Sequence, residues 1–289
     1  MVRRTLSLKF LWLFALVQSA TLVPASTTAQ EVSKASIMEA VRFHASFDGT
    51  GDARVANGDG RIYTAESLAR KEWTQGITRK DVSIAKDEGR LGDCLRFQKK
   101  AKQVICYKGD AVPYDSTNWS GTVSFWMRLD PDRDLEPGYC DPLLITDKAW
   151  NDAALFVDFN KDLPRDFRLG AFSDLSFWNP ENVPWEKWPV EKRPMITVKK
   201  PGFSRESWKH VAFTFQGINS VDKQPASASL YLDGQAMGSL SQPMKFSWDP
   251  KNAAIMLGVE FIGDFDELMI FDRALSIAEI RILTANVGK

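Results

Sequence analysis

The residues of this chain best suited to chemistry are tryptophans held among prolines. Positions 177 to 203 read FWNPENVPWEKWPVEKRPMITVKKPGF, with Trp178, Trp185 and Trp188 set among Pro180, Pro184, Pro189, Pro194 and Pro201. Proline at that density forbids a central strand, because each one removes a ladder donor. The segment therefore reads as a long, stiffened insertion between two strands. An exposed indole offers a flat platform to the apolar CH face of a sugar ring. Glu181, Asn182, Glu186 and Lys187 stand nearby to meet its hydroxyls. The same tryptophans would also serve to fill a small core of the insertion's own, since long ordered loops are packed by their own side chains. Both readings are open at this level.

Other chemistries lack their residues. The two histidines, His44 and His210, fall in expected strands and read as strand residues near the surface. No Gly-x-Ser-x-Gly elbow accompanies them. His-Glu-x-x-His and paired Cys-x-x-Cys motifs are missing, as is a phosphate-binding glycine loop. Lys+Arg and Asp+Glu are equal at 37 each. No charge field therefore points to nucleic acid or an anionic membrane. With 289 residues, 44% hydrophobic and 26% charged, the chain is neither disordered, collagen-like nor a multi-span membrane protein.

The elements that must position these residues begin after a leader. Arg3, Arg4 and Lys9 precede the apolar run FLWLFALV at 10 to 17, and small and polar residues follow up to Ala29. This is a secretory signal pattern over residues 1–29. The apolar run is shorter than the roughly 20 residues a bilayer span needs. A secreted, periplasmic or cell-surface protein with no membrane span after cleavage is expected. Residues 30–40 read as a short lead-in, and 41–286 as one domain.

Within that domain apolar residues alternate. Phe43, Ala45 and Phe47 are spaced by two, as are Val123, Phe125 and Met127, Leu155, Val157 and Phe159, and Val211, Phe213 and Phe215. Leu230 and Leu232, then Leu268 and Ile270, continue the pattern. Such alternation is what half-buried antiparallel strands need. Turn residues such as Asp233-Gly234 punctuate it. The fold class is all-β, a two-sheet antiparallel jelly-roll sandwich. Ser276 and Glu279 form a capping box that starts a short C-terminal helix, with Ile277, Ile280 and Leu283 on one face. Cys94 and Cys106 are equidistant from residue 100, so a hairpin there would set them opposite each other as a disulfide. Cys140, in a Pro/Asp-rich loop, would be left over, although a bridge to it is an alternative.

The second half carries a family pattern. Trp208-Lys209-His210-Val211-Ala212-Phe213-Thr214-Phe215 is followed by Ser229-Leu230-Tyr231-Leu232-Asp233-Gly234, and then by Phe265-Asp266-Glu267-Leu268-Met269-Ile270-Phe271-Asp272-Arg273-Ala274-Leu275-Ser276. Together with Leu91-Gly92-Asp93-Cys94-Leu95-Arg96-Phe97 and Thr122-Val123-Ser124-Phe125-Trp126, this resembles the laminin-G-like, concanavalin A-like jelly-roll domain over about residues 41 to 285. The resemblance implies a fold but not an activity. Glucanases of this architecture resemble one another in an acid-bearing strand, Glu-x-Asp-x-x-Glu. The nearest match here is Asp264-Phe265-Asp266, whose third acid would fall at Met269. Domains resembling this one often hold a structural Ca²⁺. The matching positions are Asp48 with the Gly49 carbonyl, Asp266, and Asp93.

The expectation is an exported, non-catalytic module that binds carbohydrate. Its partners would be a polysaccharide or the glycans of a glycoprotein, at Trp178, Trp185, Trp188, Glu181 and Asn182. The alternatives are a glycan-active hydrolase or lyase of the same fold, and a structural domain that binds a protein of the cell envelope.

Overall fold

The computed structural model describes Met1, residues 34–221 and residues 225–286. The expected signal peptide, Met1 apart, and the first residues of the lead-in lie outside the described residues. The lead-in contributes one helical turn, Lys34–Met38.

Two antiparallel sheets form the sandwich, nine strands in one and eight in the other among the described residues. The centre of the first sheet is the run Lys209–Ile218, Trp119–Arg128, Gly263–Phe271, Val41–Ala45. The second sheet runs Met195–Val198, Phe167–Phe172, Ala154–Phe159, Cys140–Thr146, Ala254–Val259, Val104–Lys108, then two short strands. First and last strands of the domain pair, with Phe43 opposite Ile270 and Ala45 opposite Leu268.

The expected alternation decides what fills the space between the sheets. Phe43, Phe125, Phe213, Phe265 and Ile270 from one sheet meet Leu143, Leu155, Val157, Phe167 and Leu257 from the other. Burying each such side chain contributes about 1.5–3 kcal/mol against solvent exposure. The turn Asp233-Gly234 takes φ of 48° and 73°, the left-handed pair that a two-residue hairpin requires.

Each sheet also has an outer face, and each is partly covered. Over the nine-stranded sheet lie the two helices Lys34–Met38 and Ile277–Asn286, burying Ile37, Met269, Phe271, Ile280 and Leu283. The capping box forms as expected: the Ser276 N–H donates to Glu279 Oε2 at 2.8 Å and the Glu279 N–H to Ser276 Oγ at 3.3 Å. Ile277 does not join the buried face and is 38% exposed, because the first helical residue precedes the turn that reaches the sheet.

His210 corrects the sequence reading. It is fully buried under this helix, with Nε2 at 2.8 Å from Ser124 Oγ and Nδ1 at 3.1 Å from Thr284 Oγ1. Burial pushes its pKa down to about 4, against a weak opposing pull from Asp233. The unfolded chain therefore takes up this proton first as pH falls. Its contribution to stability is complete above pH ~6.5 and is lost between there and pH ~4, a change of about 3 kcal/mol. Urea unfolding of the parent and of His210→Gln between pH 7 and pH 4.5 checks this. Equal pH slopes in the two proteins would exclude it.

The expected Cys94–Cys106 bridge is absent, and all three cysteines are free. The chain between Phe97 and Val104 is not a hairpin but a crossover between sheets. Cys94 lies in a strand paired with Val82–Ala85 and Gly263–Phe265, whereas Cys106 lies in one paired with Ala254–Leu257 and Tyr63–Ala65. Their neighbours Leu95 and Ile105 both point into the core. Alternation then turns the two thiols to opposite outer faces, beyond the ~7 Å Cα limit for a disulfide. Cys140 opens a strand and is buried in the core rather than in a loop.

Candidate functional site

The outer face of the eight-stranded sheet holds a hollow built by strand register. Along Ala154–Phe159, Leu155, Val157 and Phe159 point inward, leaving Phe156 and Asp158 outward. Along Phe167–Phe172, Phe167, Leu169 and Ala171 point inward, leaving Arg168, Gly170 and Phe172 outward. The register sets Asp158 opposite Arg168 and Phe156 opposite Gly170. Arg168 Nε donates to Asp158 Oδ1 at 2.8 Å, and its Nη2 donates to the other oxygen. A Cβ on Gly170 would stand 2.3 Å from the Phe156 ring. Glycine there lets the ring lie across the neighbouring strand.

Phe156 stacks on Phe172 at 5.5 Å between centroids. Trp150, from the loop before this strand, meets both edge-on. Trp185, from the insertion, stands at 86° to Trp150, 5.4 Å away. The hollow they enclose measures about 280 Å³ and is lined by Tyr139, Trp150, Phe156 and Trp185, by the acids Asp141, Asp158 and Glu186, and by Arg168 and Met195.

Two groups position its mouth. Asp141, early in the strand Cys140–Thr146, is half-buried, and its side chain makes no hydrogen bond or ion pair among the described residues. Burial, then the charge of Asp158, hold its carboxyl well above the usual range, with Arg168 opposing and Glu260 adding. Burial raises Asp158 too, with the two-pronged Arg168 guanidinium opposing. Arg165, 3% exposed, fastens the loop leading to Tyr139 and Asp141. Its Nη1 donates to the carbonyls of Gly138 at 2.7 Å and Asn160 at 2.6 Å, and its Nη2 donates to that of Glu136 at 2.7 Å.

Residues 109–281 match the model of the concanavalin A-like lectin/glucanases superfamily. The chain belongs to this superfamily. Among solved structures it is similar to domain 4 of an extracellular arabinanase from Geobacillus stearothermophilus, in complex with arabinotriose. The identity is 16% and the TM-score 0.52, over 84% of this chain and 98% of that one. It is also similar to a structure of botulinum neurotoxin type C, whose cell entry depends on interaction with two ganglioside molecules, at 12% identity and TM-score 0.57. That match covers 89% of this chain and 53% of the toxin chain. The binding domain of botulinum neurotoxin DC, solved with SialylT, is similar at 11% identity and TM-score 0.56, over 87% and 52%. The chain thus spans about half the length of these toxin chains. No curated protein matches it. At these identities the likeness is one of fold.

Of the residues expected to bind ligand, the structure brings Trp185 to the hollow, with Glu186 beside it. Trp178 and Trp188 fold back into the insertion. Their indole N–H groups donate to the carbonyls of Asn151 at 2.9 Å and Lys192 at 3.1 Å, and their rings meet edge-on at 5.3 Å. Glu181 and Asn182 are exposed and lie outside its lining. Tyr139, Asp141, Trp150, Asp158 and Arg168 were not foreseen. Asp158 and Arg168 left a signal, each the lone charge in an otherwise apolar strand, ALFVDF and FRLGAF.

A superfamily glucanase needs two acids flanking the scissile bond. Asp264 and Asp266 do not present themselves so. Asp264 is held by Arg96 Nε at 2.7 Å and by Arg128 Nε at 3.0 Å and Nη2 at 2.8 Å. Asp266 is fully buried, its pKa pushed up to about 8 chiefly by burial.

The calcium site that the superfamily implies does not fit these residues. Asp48 Oδ1 accepts the Asp93 N–H at 3.0 Å, and its Oδ2 accepts Arg54 Nη2 at 2.9 Å. Asp93 accepts the N–H of Asp87 at 2.9 Å and of Gly49 at 2.8 Å, one on each oxygen. Asp266 accepts those of Leu91 at 3.0 Å and Glu267 at 2.8 Å, likewise. Every carboxylate oxygen of the set serves an N–H donor, and Arg54 already supplies a cation. Among the described residues no three ligating side chains converge. Calcium takes six to eight oxygens. Adding calcium or a chelator is expected to move Tm by less than about 1 °C, since no ion distinguishes the folded state. A calcium-dependent rise of several degrees would restore the metal.

Proposed function

We propose that this chain is an exported, non-catalytic module that binds a glycan in the hollow at Tyr139, Trp150 and Trp185. The observation that carries the reading is the pair of perpendicular indoles standing beside Asp141, a carboxyl whose hydrogen-bonding capacity the protein leaves unspent. Aromatic faces take the apolar side of a sugar ring, and a carboxyl engages its hydroxyls. The volume is close to the ~300 Å³ lower end of small-molecule sites, which suits a single ring or a chain end. The arabinotriose bound to the similar arabinanase domain, and the gangliosides of the similar toxin, support a carbohydrate for this fold. The leader at residues 1–29 supports export.

The test is a glycan and polysaccharide array probed with the protein from Gln30 onward, followed by titration of Trp150→Ala/Trp185→Ala. Each aromatic contact is worth about 1–1.5 kcal/mol, so the double variant is expected to bind roughly 100-fold more weakly with its fold intact. Unchanged binding would refute the site. A silent array together with a stoichiometric envelope-protein partner would replace the glycan altogether.

A further inference from the structure

Among the residues that line the hollow, acids outnumber bases, while Arg193 and Lys161 stand against the outer rings of Trp185 and Tyr139. Three acids line it against one base. Arg168 is committed to Asp158 through both Nε and Nη2. Glu260, whose charge bears on Asp141, is itself paired with Lys100 Nζ at 2.8 Å. Glu186 is exposed on the insertion side. Among the described residues no cation pairs with Asp141, and Arg168 acts on it from within its pair with Asp158. Two of the surrounding rings already show their affinity for positive charge: the Arg193 guanidinium sits 4.0 Å over Trp185, and that of Arg168 sits 5.1 Å from the Tyr139 centroid. Trp150 is 40% exposed, and among the described residues no cation covers its ring.

We infer that the hollow selects a ligand carrying an organic ammonium group, in the first place a sugar with a free amine, with Asp141 as counter-ion and Trp150 as cation-binding ring. This rests on the glycan reading above and narrows it. A ring face attracts a cation electrostatically, more strongly when water is excluded. A lone carboxylate beside it completes the site. A sugar bearing a carboxylate is disfavoured by Asp141, Asp158 and Glu186 together. A neutral sugar leaves the imbalance standing.

The inference has a pH signature. Asp141 is faced by Asp158 and Arg168 from the neighbouring strands, by Glu260 with Lys100 beyond the Ala254–Val259 strand, by Glu186 from the insertion, and by Tyr139 on its own segment. Its carboxyl is held above the usual carboxylate range in the empty hollow by burial and the charge of Asp158, and an arriving cation pulls it back down. Affinity for a cation of fixed charge then rises with pH, and binding releases a proton.

Calorimetric titration of the mature protein decides the matter, with a glucosamine tetramer, its N-acetylated counterpart, and choline as a cation that does not titrate, at pH 6 and pH 8. The amine-bearing tetramer is expected to bind at least about tenfold more tightly than the acetylated one. Asp141→Asn, close in shape and neutral, is expected to erase that preference without lowering Tm. Choline is expected to bind weakly at pH 6 and more tightly at pH 8. Equal binding of both tetramers, unaffected by Asp141→Asn but lost in Trp150→Ala/Trp185→Ala, overturns the ammonium selection and leaves the glycan site. Choline binding that depends on Asp141, with no tetramer bound, keeps the ammonium site and overturns the glycan reading. Absence of all three at both pH values overturns both.

Discussion

Asp158→Ala is expected to destabilise the protein by about 3–5 kcal/mol, because it strands the Arg168 guanidinium on a face already closed by aromatic rings. Asp158 is 3% exposed and receives two hydrogen bonds from Arg168, and no other acid bonds that side chain. Removing the carboxylate leaves a desolvated charge with its donors unsatisfied. For a domain of this size the loss corresponds to a fall in Tm of roughly 6–20 °C. The partner variant separates the pair's value from the cost of breaking it. Asp158→Ala/Arg168→Met exchanges the ion pair for apolar atoms on an apolar face, and is expected to recover to within about 1 kcal/mol of the parent. Denaturant unfolding of the four proteins of this cycle measures both quantities. A single variant that loses less than about 1 kcal/mol would show that the guanidinium reaches water, and the buried-pair account would be wrong.

Arg165→Met is the second large effect. This side chain bonds three carbonyls at 2.6–2.7 Å from two separate loops, with a fourth at 3.5 Å from Leu135. Bonds from a charged donor are worth about 1.5–3 kcal/mol each, and the carbonyls left behind are costly wherever water does not replace the guanidinium. A loss of about 3–5 kcal/mol is expected in chemical denaturation. Arg165→Lys is expected to restore less than half of it, since a point-like ammonium cannot span the fork. The clamp also bears on function: Gly138 and Glu136 lead directly into Tyr139 and Asp141. Glycan affinity is therefore expected to fall in Arg165→Lys even where the fold survives. Full affinity in that variant would detach the loop from the site.

Strands with one face toward the core and polar residues on the other were legible in the sequence, as at Ala226–Leu232, where buried and half-buried positions alternate. The strand Ala254–Val259 was not, because every residue in it is buried and no period of two survives. Part of this comes from the outer side: Arg70 reaches across that face, its Nη1 3.2 Å from Met256 Sδ. Spacing about residue 100 could not distinguish a hairpin from a crossover between sheets, and the thiols followed the crossover. The site was half visible. Trp185 announced itself by type. Asp141, Trp150 and Asp158 are brought together by strand register and by loops far apart in sequence, and nothing local marks Trp150 as the ring that Trp185 would meet.

The three buried cysteines give the molecule a clock. Burial pushes the thiols of Cys94 and Cys106 up to about 12 and that of Cys140 well above its ordinary range. A thiol reagent attacks the thiolate, so the closed protein is inert to it, and each modification event records an opening. The reporters sit in different places: one on the helix-covered sheet, one on the outer face of the other sheet, one in the core between them. If the sandwich opens as a single unit, all three react with one rate. If its two faces breathe separately, Cys106 keeps different time from Cys94, and the sequence of labelling reads out which layer lets go first.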